Sequence, residues 1–286
     1  MDLAETRRVL GDFATRPVNA VANLASILGL VLTVLATIGW NSAAIPIVYL
    51  CALSSFLIVR YVRQERWSRY SEAALVMDRA HRRLKEVTDS VVFGGVRLED
   101  ALHGLHDSLS AFAEAFTLVT GSNCRASIKE IYAEAKDAGT AAGSTDLRSE
   151  LFAATVSRSD RDEVRRIAEE RPDLVRENSD FELVVANRDA FHSNDLPRLW
   201  LNREYRNSHW PDSLRSSGKF PYTAAIVWPI EADRVTSVRS PISNENVIAV
   251  LCVDTRRRGA FRPRVDVPFG MAYAHALYAL LYFDRS

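Results

Sequence analysis

The sequence has few cysteines and no excess of charge of either sign. Three cysteines occur in 286 residues, Cys51, Cys124 and Cys252. They are odd in number and far apart, which argues against a disulfide framework and against a zinc site built from paired ligands. Lysine plus arginine equals aspartate plus glutamate, 36 against 36, so the net charge favours no nucleic-acid partner. We therefore expect reduced thiols, no metal site and no nucleic acid.

A second absence is local, because no charged residue occurs between residues 17 and 59. Residues 18–40 are long enough for a helix to cross a bilayer, and residues 43–60 form a shorter apolar run. Together they are too long for a signal peptide, so we interpret residues 17–60 as two transmembrane helices in the lipid bilayer. Arginines flank this hairpin, which predicts an inner (cytoplasmic) membrane protein with both termini and the globular domain cytoplasmic. Residues 1–16 form the cytoplasmic N-terminal segment.

Apolar residues recur at every seventh position after the hairpin, beginning with Met77, Leu84 and Val91. This repeat predicts helices at about residues 61–91 and 97–119. We assign residues 61–96 to a helical stalk, and its coiled-coil pattern predicts a homodimer or higher homo-oligomer formed through residues 73–119. The alternative, favoured for the second helix, is an amphipathic helix that packs on its own domain.

From Cys124 onward the pattern changes to that of strands. Strands are predicted at residues 124–132, 150–158, 190–196, 222–230 and 247–255, and an amphipathic helix at residues 265–283. The last two strands are apolar on both faces, as expected in the middle of a sheet that helices cover on both sides. The predicted fold class is a membrane α-hairpin followed by an α+β domain with a mostly antiparallel sheet.

Two segments of this domain resemble GAF domains. The run "VLCVD" (residues 250–254), followed by "GAF" (259–261), Asp266 and the closing helix, resembles the last strand and C-terminal helix of that family. The segment "AFHSNDL" (190–196) looks like its third strand. The resemblance covers residues 97–286. It implies a GAF-like sheet with helices on both faces, a small-molecule pocket on one face and a helical dimer interface on the other.

The resemblance does not identify a ligand. The signature of cyclic-nucleotide phosphodiesterase GAF domains is not visible, and Cys124 and Cys252 lie in predicted strands rather than where bilin-binding GAF domains attach their chromophore. No kinase, cyclase or DNA-binding segment follows the domain in this sequence. We therefore expect the output of a sensor to pass through the stalk, the hairpin or a partner protein.

Aromatic residues are concentrated between residues 191 and 228, where arginine and asparagine are interleaved with them. Aromatic rings can stack on a base and arginine can pair with phosphate, so a nucleotide-type ligand is predicted here and no other cofactor. The candidate ligand-binding residues are Phe191, Asn194, Asp195, Arg203, Tyr205, Trp210 and Tyr222, together with Arg125 and Lys129 from the first strand. The alternative is that these aromatics cap the sheet and form core.

No serine or cysteine nucleophile has a recognisable setting, so neither enzymatic activity nor a catalytic residue is predicted. The favoured function is that of a bacterial membrane-anchored GAF-like sensor, which binds a small ligand in its cytoplasmic domain and signals through the stalk and hairpin. One alternative is a second-messenger-activated effector of antiviral defence that disrupts the membrane. The other is a membrane adaptor whose GAF-like domain has no ligand and binds protein.

Overall fold

The computed structural model describes residues 44–134, 150–160, 171–231 and 247–283. The chain divides into two compact units, Met1–Ser71 and Glu72–Ser286. Among the described residues, no helix combines the length and the apolar character that crossing a membrane requires. The first predicted span, residues 18–40, lies outside the described residues. The hairpin and the membrane localisation stay predictions.

The described helices are α1 (Ala44–Val92), α2 (Leu98–Thr120), α3 (Ser179–Asn187), α4 (Leu196–Leu201), α5 (Ser213–Ser217) and α6 (Pro263–Phe283). The described strands are β1 (Cys124–Glu134), β2 (Glu150–Arg158), β3 (Asp173–Leu174), β4 (Phe191–Ser193), β5 (Ala224–Glu231) and β6 (Val247–Thr255). They form one sheet in the order β3-β2-β1-β6-β5-β4, and every neighbouring pair is antiparallel. The α+β class and the antiparallel sheet are confirmed.

The strand bounds follow the sequence pattern closely, with one informative exception. Strands β2 and β6 have the predicted limits, whereas β4 ends at Ser193 although the pattern predicted a strand to residue 196. The reason is that Asp195 caps the next helix, where its side chain accepts a hydrogen bond from the backbone N–H of Arg198. The chain therefore turns into α4 at this point instead of continuing as a strand.

One face of the sheet packs against helices, and we call it the helix face. Alternate residues of the central strands point to it, including Ile226 and Trp228 of β5 and Leu251 of β6. The Trp228 indole donates to the Val267 carbonyl at 2.9 Å. A Cβ atom added to Gly270 would lie 2.4 Å from the Trp228 ring, so α6 approaches the sheet at a position that only glycine allows.

The heptad repeat of α1 packs within this same core. Its buried members are Ala73, Met77, Ala80, Leu84 and Val87. The Ser108 hydroxyl donates to the Ala80 carbonyl at 2.7 Å and lies 2.7 Å from the Tyr273 hydroxyl, which ties α1, α2 and α6 together. The chain's own helices thus cover the positions assigned to a dimer seam. The repeat needs no second copy to explain it, and self-association through residues 73–119 stays a prediction.

The opposite face of the sheet, the groove face, has a smaller apolar cluster. Val227, Val250 and Cys252 contact Phe181 and Val184 of α3 there. A second cluster beside it contains Leu196, Trp200, Tyr205, Trp210 and Ala225. Charged side chains are buried between and beneath these clusters, which makes this face the place to look for a functional site.

Candidate functional site

An open groove of about 1100 Å³ lies on the groove face. It is lined by Arg176, Glu177, Glu182, Trp200, Arg203, Tyr205, Arg206, Asn207, Ser208 and Asp212. Half of the lining residues lie within residues 203–210, which we call the groove segment. The others come from the 3₁₀ turn Val175–Glu177, from α3 and α4, and from Asp212 before α5. The lining is polar and carries charges of both signs.

Hydrogen bonds attach the groove segment, which has no regular secondary structure, to the beginning of α3. The Ser179 N–H donates to the Arg206 carbonyl at 3.1 Å, and the Arg206 N–H donates back to the Ser179 hydroxyl at 2.9 Å. One step on, the Ser208 N–H donates to the Asn178 side-chain oxygen at 3.1 Å. Side-chain acceptors therefore replace the strand pairing that this segment lacks.

A buried carboxylate, Asp173, anchors the far end of the groove segment. Lys129 of β1 donates to its Oδ2 at 2.6 Å, while His209 and Ser208 reach its Oδ1 at 2.6 Å and 3.0 Å. Burial alone would raise the pKa of Asp173. The His209 hydrogen bond and the Lys129 charge outweigh it and hold that pKa near 2. Asp173 thus stays ionised, and it links the groove to a central strand.

A second buried carboxylate, Asp180, lies in the first turn of α3 and is 5% exposed. Its Oδ2 accepts from the Tyr205 hydroxyl at 3.0 Å, and its Oδ1 accepts from the Phe181 N–H at 3.1 Å. Burial is the largest influence and raises the pKa of Asp180 to about 6, despite these two hydrogen bonds. The two buried aspartates are therefore opposite in character.

Asn207 joins two tyrosines beneath the groove. Its amide donates to the Tyr205 hydroxyl at 3.1 Å and to the Tyr222 hydroxyl at 2.7 Å. Burial, followed by the nearby Asp180 charge, raises the pKa of both tyrosines well above the usual value. Both phenols are neutral at physiological pH, so they act as hydrogen-bond partners and not as charges.

Two of the predicted ligand residues, Arg203 and Tyr205, line the groove. Arg203 is exposed and has a backbone φ of 63°. Among the described residues its side chain has no ion-pair partner. Arg176 and Arg206, by contrast, pair with Glu150 and Glu182. Arg203 is the arginine whose charge is available in the groove.

Of the other predicted aromatic residues, Trp210 is buried, and Phe191 and Tyr222 are half-buried and pack against the same apolar cluster. Trp210 is 5% exposed and packs 5.6 Å from Tyr205 and 5.3 Å from Tyr222, measured between ring centroids. Phe191 stacks on Tyr205 at 6.2 Å. The rings of Phe191, Trp210 and Tyr222 thus contact neighbouring rings, and none of the three lines the groove.

Asn194 and Asp195 hold the chain together away from the groove. The Asn194 amide donates to the Phe261 carbonyl at 2.8 Å, and its oxygen accepts from the Phe261 N–H at 2.9 Å. Asp195 caps α4 and pairs with Arg258 at 3.3 Å. Both side chains are occupied by these structural contacts, and neither lines the groove.

Arg125 and Lys129 share the groove face of β1, as strand alternation predicted. Each is already paired: Arg125 donates to Asp254 at 3.1 Å and 2.8 Å, and Lys129 donates to Asp173. Neither side chain lines the groove. Lys129 is therefore a positioning residue, because it acts on the groove through Asp173.

Asp173 and Asp180 were not among the predicted residues. Asp173 lies in a two-residue strand, too short to show alternation. Asp180 follows Asn178 and Ser179, so its sequence context is that of an ordinary helix start. Nothing local to either residue distinguishes a buried aspartate from a solvated one.

Neither buried cysteine is set up for thiol chemistry. Burial raises the pKa of Cys124 to about 11 and that of Cys252 to about 12. A nucleophilic cysteine needs the opposite shift, because the thiolate is the reactive form. Within the described ranges, no group of three or more His, Cys, Asp or Glu side chains has a metal-binding arrangement.

No protein-family model matches this sequence, and no curated protein matches it. Among similar solved structures, the GAF domain of a phosphoenolpyruvate-protein phosphotransferase from Coxiella burnetii is 12% identical, with a TM-score of 0.43, covering 74% of this chain and 96% of that chain. A structure described as the GAF domain is 11% identical, with a TM-score of 0.44, covering 72% and 87%. A type II free methionine-R-sulfoxide reductase from Thermoplasma acidophilum is 10% identical, with a TM-score of 0.36, covering 62% and 92%. Likeness at this level carries no argument about ligand or activity.

Proposed function

We propose that this protein is a membrane-anchored GAF-like sensor that binds a small, nucleotide-type anion in the groove. The observation that carries the proposal is Arg203, an exposed arginine of the groove without an ion-pair partner in the described part of the chain. A guanidinium presents several N–H donors in one plane and suits a phosphate better than any other side chain does.

The backbone of Arg203 supports this assignment. A φ of 63° is a left-handed conformation that costs a non-glycine residue about 1 kcal/mol or more. Strain of this kind is concentrated at ligand-binding positions. Tyr205 and Asn207 lie beside Arg203 in the lining and add polar groups at the floor.

The phosphate part of the ligand has more support than the base. Trp210, Tyr222 and Phe191 are packed as core, whereas the groove carries three arginines, of which Arg203 is unpaired among the described residues. We therefore propose that affinity depends chiefly on charge, with Trp200 the aromatic residue that borders the groove.

A signal can leave the groove through β1. Lys129 holds Asp173 on the groove face, and the next side chain toward the N-terminus, Ile128, packs among the helices on the other face. A ligand that displaces the groove segment would act on Asp173 and then on this strand. In the proposal the output continues to the stalk and to the membrane hairpin expected at residues 17–60.

The test is nucleotide binding by the full-length chain. A panel of nucleoside mono- and diphosphates and cyclic dinucleotides is titrated by calorimetry, and the best ligand is compared across two variants. Arg203→Gly should weaken binding about tenfold or more, because a charged hydrogen bond is lost. Arg188→Gly is the matched control, since Arg188 is also exposed and has a φ of 57° but lies outside the groove lining. Equal affinity in both variants would overturn the assignment of Arg203.

The adaptor is the second candidate, and one observation favours it. Asn207 and Ser208 use their side chains within the protein, so the floor needs no ligand to complete its hydrogen bonds. If the whole panel gives no heat of binding and no thermal shift, the sensor proposal is wrong and the adaptor is preferred.

Membrane anchoring is tested separately. The proposal predicts that the full-length chain sediments with membranes and that a periplasmic reporter fused after Ser286 stays inactive. An active periplasmic fusion would contradict the predicted orientation without affecting the groove.

A further inference from the structure

Among the described residues, a buried carboxylate without a cationic hydrogen-bond partner lies behind the groove. Asp180 accepts from the Tyr205 hydroxyl and from the Phe181 N–H, while the one buried lysine nearby, Lys129, donates to Asp173. Tyr205 itself lines the groove. The Tyr205 hydroxyl thus connects Asp180 to a residue of the groove lining.

Several titratable or charged groups of the described residues surround Asp180. The groups that interact electrostatically with Asp180 are Tyr205 of the groove segment, Lys129 of β1, Tyr222 before β5 and Cys252 of β6. Arg176 and Glu177 of the 3₁₀ turn and His209 of the groove segment, on the elements next to α3, are exposed to solvent. His209 pairs with Asp173, so it is the neighbour whose titration must be separated from that of Asp180.

We propose that Asp180 makes the groove pH-sensitive, so that anions bind more tightly in mildly acidic solution. The inference rests on the proposed function, because it concerns the regulation of the same groove. A proton from solvent neutralises the carboxylate, which removes one negative charge from beneath the anion. The new carboxyl O–H can then donate to the Tyr205 oxygen, which ends the hydrogen bond from the Tyr205 hydroxyl to the carboxylate and changes the polar network that Tyr205 shares with Asn207 beneath the groove.

The environment of Asp180 places this protonation in an accessible range. Burial raises its pKa to about 6, and the hydrogen bonds from Tyr205 and Phe181 only partly oppose that shift. Asp173, with a pKa near 2, keeps its charge over the same range. Of Asp173 and Asp180, only Asp180 changes its charge between neutral and mildly acidic pH.

The experiment measures sulfate binding by the full-length chain at two pH values. Sulfate is the probe because it stays a dianion where phosphate would itself titrate. From about pH 7.5 to about pH 5.5, the affinity of the unmodified chain should rise about threefold to tenfold. Asp180→Asn should bind with the higher affinity at both pH values, while His209→Gln should keep the pH dependence.

Tyr205→Phe provides an independent check that does not depend on the asparagine variant folding. The Tyr205 hydrogen bond lowers the pKa of Asp180, so its loss should move the midpoint of the pH dependence to higher pH. The midpoint is followed by the infrared band of a protonated carboxyl as well as by sulfate binding.

Each result decides a different point. Sulfate binding that is equal at both pH values overturns the pH-sensitive groove and leaves the proposed function standing. A pH dependence that disappears in His209→Gln assigns the effect to that histidine and also overturns the inference. Absence of sulfate binding at both pH values removes the anion groove itself, and the pH inference with it.

Discussion

The two faces of the sheet differ in how they bury polar groups. On the helix face, the aromatic residues Phe112, Phe116 and Trp228 pack in a largely apolar core. On the groove face, two carboxylates are buried beneath a polar groove. Burying apolar area stabilises a fold, whereas burying a charge costs free energy unless a partner offsets it.

This difference indicates that the two faces have different roles, one in stability and the other in the candidate site. The helix face buries the larger apolar cluster, so we expect it to contribute more of the stability and to offset the cost of the polar groups that the groove face buries. The free-energy cost of burying the Asp173 charge is offset by Lys129 and His209. Asp180 accepts hydrogen bonds, but in the described structure no cation is bonded to it. The following predictions test the comparison, beginning with the largest effect.

The largest effect is expected from Lys129→Met, which leaves the Asp173 charge buried without its lysine. Removing one member of a buried ion pair typically costs about 3–5 kcal/mol of unfolding free energy. Urea unfolding followed by tryptophan fluorescence measures the loss. Arg125→Met is the matched control on the same strand face, where the half-buried Asp254 pair should cost about 1 kcal/mol. Equal losses would show that burial does not distinguish the two pairs.

A smaller loss is expected on the helix face from Gly270→Ala. The new methyl group would meet the Trp228 ring at 2.4 Å, and overpacking of this kind costs about 1–3 kcal/mol. At an open helix position the same change would stabilise by about 1 kcal/mol. A lower thermal midpoint would support the close approach of α6 to the sheet at Gly270. A higher thermal midpoint would contradict it.

The two aspartates should give pH dependences of opposite sign. The pKa of Asp180 is raised, so stability should increase by about 1–2 kcal/mol as pH falls through about 6. The pKa of Asp173 is lowered, so its contribution is present above about 4 and is lost as pH falls toward 2. Thermal midpoints measured from neutral pH downward should rise and then fall. Asp180→Asn should abolish the rise and keep the fall.

The smallest effect concerns backbone strain. Arg203→Gly and Arg188→Gly both place glycine at a positive φ and should each stabilise by about 0.5 kcal/mol. Equal stabilisation with unequal nucleotide binding would show that Arg203 is retained for its side chain. If Arg203→Gly destabilises instead, its side chain has a structural contact that outweighs the strain.

The heptad repeat shows where sequence reasoning stopped short. The spacing of Met77, Ala80 and Leu84 correctly predicted a helix with one buried side. It also predicted a dimer seam, which stays a prediction, and it could not show that these residues already pack against α2 and α6 of the same chain. Leu84, 2% exposed, is a core residue, so Leu84→Asp would destabilise the domain rather than act selectively on signalling.

Strand alternation gave the face of Lys129 and Arg125 correctly, because successive side chains of a strand point to opposite sides. The same rule could not give their partners. Asp173 lies 44 residues after Lys129, and Asp254 lies 129 residues after Arg125. Such pairings depend on the order of strands in the sheet.

The sequence by itself determined the positions of the long helices and strands, since each element has its own hydrophobic period and its own start and stop residues. It also placed Arg203 and Tyr205 in one polar, aromatic segment. Only the tertiary structure decided that Trp210 and Tyr222 are core, that α1 is covered from within the chain, and that Asp180 lies buried behind the groove. The physical reason is that periodicity records which side of an element avoids water, while the group that covers that side comes from distant parts of the chain.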